Sequence, residues 1–93
     1  MNTVFVYCDT EDGETWAKAW KRDEGTRHEM FEKMGIKCRT FRDSDNHNRC
    51  GVLFEIPDMT AFESHLESDE TKEAMAEDGL QLQTFRMLTE FTP

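Results

Sequence analysis

"DSDNHNRC", residues 43–50, decides how this chain divides into elements. It packs two aspartates, two asparagines, a histidine and a cysteine into eight positions, so it reads as a metal site or as a tight turn. Asp, Asn and Ser form turns because their short side chains bond their own backbone and tolerate positive φ. A metal would have to use Asp45, His47 and Cys50, ligands so close in sequence that they need a special loop, and no second cluster answers them. The turn explains the residues without a metal. Residues 44–48 are therefore expected to form an exposed hairpin loop that binds no transition metal.

A hairpin there makes strands of its flanks. "IKCRTFRD" (Ile36–Asp43) alternates, and "CGVLFEI" (Cys50–Ile56) is almost continuously apolar until Pro57 stops it. Near the start, "TVFVYC" (Thr3–Cys8) is β-branched and aromatic, the composition of a buried strand. From Glu14 the period turns helical: Trp16, Trp20, Arg27, Phe31 and Met34 share a face, with Ala19 and Met30 beside them. Asp12 suits the N-cap of this span, and Gly35 its closing residue. Gly25 and the Thr-x-x-Glu box of Thr26–Glu29 interrupt it, and we read one helix with a weak point there.

Beyond Pro57, Asp58 caps a second helical span that turns Phe62, Leu66, Ala74 and Met75 inward. Ser68 is placed to start a short helix of its own, and Gly79 ends the span. "LQLQTFRMLTEF" (Leu80–Phe91) then reads as a long last strand. The order is β-α-β-β-α-β. With right-handed crossovers this predicts a four-stranded antiparallel sheet in the order 4-1-3-2, with two helices on one face. That is the ferredoxin-like α+β fold, as a single domain over residues 1–93.

The two central strands are apolar on both faces. Val4, Val6 and Cys8 point one way, Phe5 and Tyr7 the other; Cys50, Val52, Phe54 and Ile56 oppose Leu53. A sheet with one wet face alternates apolar with polar, and these strands do not. Phe85, Met87 and Phe91 are expected to enlarge the uncovered patch. A sheet-to-sheet homodimer about a two-fold axis would bury it. In the same arrangement Cys8 lies near Cys50, read as two small buried hydrophobes with a redox pair as the alternative.

The bulk numbers set bounds. Of 93 residues, 37% are hydrophobic and 11% aromatic, enough for a core without staples. A formal net charge of −9 argues against nucleic acid or an anionic membrane as partner. No apolar run approaches the roughly 20 residues of a membrane span. "MNTVFVYCDTED" has neither a basic region nor an extended apolar core, so no signal peptide is expected. Three cysteines, scattered and without a Cys-x-x-Cys, suit reduced thiols in the cytoplasm.

"W…AW" in the first helical span, "GIKCRTFRDSDNHNRCGVLFEIPDM" and "AFESHLESDETKEAMAEDGL" together resemble small proteins of the dimeric α+β barrel superfamily. Members near its antibiotic-biosynthesis-monooxygenase group show D-x-D-D-P-N-R, a strand ending in an acidic residue, and a helix of the form L-S-x-E-x-K-x-x-M-x-x-x-G. Asp43, Asp45, Asn48, Arg49, Glu55, Leu66, Ser68, Lys72, Met75 and Gly79 fit that pattern, while His47 stands where it has proline. The resemblance implies a homodimeric barrel. It leaves open cofactor-free monooxygenases, haem-degrading enzymes, isomerases and members without known activity. The Asn, Trp and Arg set of the monooxygenases and the haem-ligating His do not map onto this sequence residue by residue, so no catalytic residue is carried over.

Single features stay open at this level. Trp16 and Trp20, one turn apart, are core packing or an aromatic wall for a flat organic ligand. His28 and His65 read as surface or satisfied residues rather than acid–base catalysts. Arg27, on an apolar stripe, snorkels outward, pairs with Asp23 or binds an anion. There is no Gly-rich phosphate loop, no Ser/His/Asp order and no His-Glu-x-x-His, and no cofactor or metal is expected.

Two functions therefore remain. One is a cofactor-free monooxygenase-like enzyme for a small organic molecule, with a pocket lined by Trp16, Trp20, Arg27 and His28. The other is a non-catalytic homodimer that binds a ligand or a partner protein. The first requires an enclosed, partly apolar cavity with two or three convergent polar groups. The second requires the same space to be filled by side chains.

Overall fold

Strand β1 (Asn2–Asp9) lies inside the sheet, pairing antiparallel with β3 (Arg49–Ile56) along its whole length, from Asn2 opposite Ile56 to Asp9 opposite Arg49. On its other edge it pairs with β4 (Arg86–Thr89), and β2 (Lys37–Arg42) closes the far side against β3. The sheet order is β2-β3-β1-β4, the expected 4-1-3-2. These coordinates form a computed structural model that describes residues 1–93. The fold is ferredoxin-like α+β, and no helix is long and apolar enough to cross a membrane.

Paired residues of antiparallel strands present their side chains to the same face, so the register sorts the sheet in two. Val4, Val6, Cys38, Cys50, Val52, Phe54 and Ile56 turn inward and form one core cluster with Trp16, Phe31, Ile36 and Phe62. Phe5, Tyr7, Leu53 and Phe41 take the opposite face, where no helix covers them. Phe5 is half-buried by its neighbours, its ring 6.1 Å from Tyr7 and 5.6 Å from Phe41. Gly51 makes that cluster fit: a Cβ there would sit 2.8 Å from Phe5 Cζ.

The second helical span divides as its sequence indicates. Helix α3 (Met59–Glu67) is capped by Asp58, which accepts from the Ala61 N–H, and α4 (Asp69–Glu77) by Ser68, which accepts from Thr71. Gly79 ends it at φ +75.

The first span differs from expectation. Instead of one helix with a weak point there are two, α1 (Gly13–Ala19) and α2 (Arg27–Glu32). Between them Asp23 accepts from Glu24 N–H through its own carboxylate, and Gly25 adopts φ +76. Thr26 gives its hydroxyl to Asp23 O at 2.7 Å and makes no side-chain cap, so the Thr-x-x-Glu box does not form. Local side-chain bonds outcompete the helix.

The last strand is also shorter than its alternation suggests. Leu80 makes an isolated bridge to Thr10, residues Leu82–Thr84 form a 3-10 turn, and only Arg86–Thr89 pair as β4. Thr84 Oγ1 accepts from Asp9 N at 2.8 Å, replacing a backbone partner in the ladder. The interruption shifts the phase. Leu88, opposite Phe5, joins the uncovered face, whereas Met87 pairs with Val6 on the other side. Phe85 packs against the core and Phe91 lies past the strand, so the expected trio of Phe85, Met87 and Phe91 does not enlarge the patch.

Candidate functional site

The hairpin loop resolves first. Asp43 Oδ1 accepts from the backbone of Asp45 at 2.8 Å and Asn46 at 3.2 Å, and Asn46 Oδ1 accepts from Asn48 at 3.1 Å. These are the self-bonded turns that make Asp and Asn turn residues, and residues 44–48 are exposed. The loop also docks a helix. Asn48 Oδ1 accepts from Gly13 N at 2.9 Å, satisfying an amide at the start of α1, while Arg42 donates to His47 O and pairs with Glu14. No group of three or more His, Cys, Asp or Glu converges here or elsewhere in metal-holding geometry.

The concave site lies between the inner sheet face and the helices, a cavity of about 70 Å³. Fifteen of its nineteen lining residues are hydrophobic, and Trp16, Trp20 and Arg27 are all among the nineteen. Trp20 organises the wall: its ring lies 6.1 Å from Trp16 and stacks on Phe31 at 5.8 Å with an interplanar angle of 11°. Trp16 is a buried core residue that also borders the cavity.

Arg27 forms the polar corner. It does not pair with Asp23. Its Nε donates to Asp78 Oδ2 at 3.0 Å and its Nη2 to Asp78 Oδ1 at 2.9 Å, a two-pronged grip across to the end of α4. Glu77 adds a contact at 3.4 Å. The hydrogen bond to Asp78 raises the Arg27 pKa further, so the guanidinium stays charged. Asp78 was invisible from sequence because 51 residues separate it from Arg27. The available signal was an arginine on an apolar stripe, which needs a buried acid from somewhere.

His28 is not brought to this cavity. It is buried, with its ring edge-on to Trp20 at 5.4 Å, and borders a separate polar cleft with Arg22, Asp23, Glu24, Glu29 and Glu32. Burial, and then Arg22, lower its pKa and keep the imidazole neutral. His65 is neither exposed nor satisfied: its Nε2 is buried without a partner, and the ring meets Phe31 edge-on at 5.3 Å.

Cys8 and Cys50 face each other in register and both border the cavity. Directly paired antiparallel residues have Cα atoms about 4.5–5.5 Å apart, a separation that a disulfide tolerates. All three cysteines are nevertheless free. Burial pushes the Cys8 thiol up to about 11, with Cys50 and Asp9 adding to it, and burial raises Cys50 as well. At neutral pH these sulfurs are thiols, not nucleophiles.

No protein-family model and no curated protein matches the chain. Solved structures do. An antibiotic biosynthesis monooxygenase superposes with a TM-score of 0.71 at 11% identity, over 100% of this chain and 99% of that one. The chain has the fold of an antibiotic biosynthesis monooxygenase. A protein of Lactobacillus acidophilus NCFM, provisionally named a monooxygenase, matches with a TM-score of 0.65 at 16% identity. That match covers 95% of this chain but 42% of the other. At such identities the likeness establishes fold and leaves activity to the site.

Proposed function

We propose that the 93 residues form one domain that works as a sheet-to-sheet homodimer, its cavity taking a small, uncharged, largely apolar organic molecule for cofactor-free, monooxygenase-like oxidation. The lining carries this reading: mostly hydrophobic, with Trp16, Trp20 and Phe31 on it and one polar corner. At that corner a single guanidinium already meets Asp78 and Glu77, so an anionic ligand would find net negative charge. The thiols are neutral and Arg27 is occupied, which leaves no unpaired acid or base on the wall. In a cofactor-free oxidation the electrons come from the substrate: one atom of O₂ enters the product and the other leaves as water with two substrate hydrogens. The fold shared with two structures named as monooxygenases supports that direction.

The homodimer is supported by the uncovered face, where Tyr7, Phe41 and Leu88 are 36%, 42% and 55% exposed beside Phe5 and Leu53. Three reduced thiols support a cytoplasmic setting.

The cavity size favours a second reading, a non-catalytic homodimer that binds a ligand or a partner protein. Its 70 Å³ lies far below the roughly 300 Å³ at which pockets for drug-sized ligands begin. Titrating phenol, indole and 1,4-hydroquinone against tryptophan fluorescence, while dissolved oxygen is followed, separates the two. Saturable binding with protein-dependent oxygen uptake, both lost in Trp20→Ala, supports oxidation. Binding without uptake supports the ligand binder, and no binding of any probe contradicts the oxidation.

A further inference from the structure

At about 70 Å³ the cavity is far smaller than the roughly 300 Å³ at which pockets for drug-sized ligands begin. If it takes an organic molecule, as proposed above, a wall must move. The inner sheet is the least suited, because β1 is hydrogen-bonded along both edges. Helices α3 and α4 are each closed by a side-chain cap.

The segment from Trp20 to Thr26 is different. It belongs to no helix, and residues 21–25 are exposed. Its backbone bonds are local: Lys21 N to Lys18 O at 3.5 Å and Asp23 N to Lys21 O at 3.0 Å. One hydrogen bond, Arg22 Nη2 to Cys38 O at 3.2 Å, ties it to the sheet. Gly25 supplies a free joint, at φ +76 with open space where a Cβ would be. Directly after this strap, Arg27 crosses to Asp78, Glu77 and Ala74 O on the far wall.

We propose that residues 20–27 are a gate to the cavity and that the Arg27–Asp78 ion pair is its latch. Both ends of the gate line the cavity, Trp20 at one and Arg27 at the other. When the pair parts, the strap swings on Gly25 and opens the space between Trp20 and α4. When it re-forms, the two-pronged contact closes the wall over whatever has entered. This assignment rests on the ligand reading for its purpose but not for its test.

Hydrogen exchange followed by mass spectrometry on the full chain reads the gate without any ligand. Residues 20–27 should exchange faster than β1 and β3 in the native protein. In Arg27→Met/Asp78→Leu, which parts the pair without stranding a charge, their exchange should rise further, roughly tenfold, while β1 and β3 keep their protection. Arg27→Met alone strands the Asp78 charge and should lower protection in the sheet as well, so the double variant is the one that reads the latch. In that variant, unchanged exchange in residues 20–27 would overturn the latch, as would a parallel rise throughout the sheet. Because no ligand is used, failure here leaves the binding proposal standing, and failure of every probe to bind leaves the gate standing.

Discussion

Arg27 spans the gap between α2 and α4 with four hydrogen bonds, and its partner Asp78 is 6% exposed. Removing one side of such a pair strands the other charge, so Arg27→Gln should cost about 3–5 kcal/mol in urea denaturation. Replacing both by apolar residues, as in Arg27→Met/Asp78→Leu, should recover most of that loss. The thiols give a second expectation. Burial raises Cys8 to about 11 and Cys38 to about 12 from an ordinary 9. A raised folded pKa means stability that is complete below pH 9 and falls as pH climbs towards 11–12, because the unfolded chain ionises first. Cys38→Val should flatten this alkaline decline in a pH series of melting temperatures. His28 works in the opposite direction: its lowered pKa makes stability full above the unfolded value near 6.5 and weaker as pH falls below it. At this scale the sequence located Trp16, Trp20 and Arg27 but neither Asp78 nor the burial of His28. Those depend on which distant element arrives opposite, and helical periodicity carries no record of that.

Elements were most legible where the signal is local. Asp58, Ser68 and Gly79 mark helix ends because a cap is a bond within a few residues, and the hairpin follows from Asx turns inside the loop itself. The break between α1 and α2 was underestimated because the apolar stripe runs through it in sequence; in the fold Trp20 stacks on Phe31, a residue that a continuous helix would hold roughly 16 Å away along its axis. The end of the chain misled in the opposite sense, since period-two alternation does not reveal that Thr84 substitutes its hydroxyl for a ladder carbonyl. Two glycines test this level. A Cβ on Gly13 would lie 2.0 Å from His47 O, so Gly13→Ala must push the hairpin loop off the start of α1. We expect a loss of roughly 1–3 kcal/mol by chemical denaturation. Gly25 has open space around it and only its φ of +76 to protect. Gly25→Ala should cost about 1 kcal/mol, the backbone penalty alone.

For the whole molecule, the accessible surface of 6140 Å² exceeds the roughly 5,600 Å² expected of a compact monomer of this mass. The excess goes with a sheet covered on one side only. Phe5, Tyr7, Leu53, Phe41 and Leu88 form a continuous apolar strip across all four strands. Arg39 over Phe41 at 5.8 Å gives it a charged margin. The double-sided apolarity of the central strands was readable directly, because a residue's face is fixed by its parity along a strand. The fourth strand's contribution was not, because its phase depends on the 3-10 turn. Sheet-to-sheet dimerisation is the central claim, and the mass in solution tests it most directly. Light scattering on the purified chain at micromolar concentration should return twice the 10.9 kDa chain mass. A monodisperse species of 10.9 kDa would contradict it.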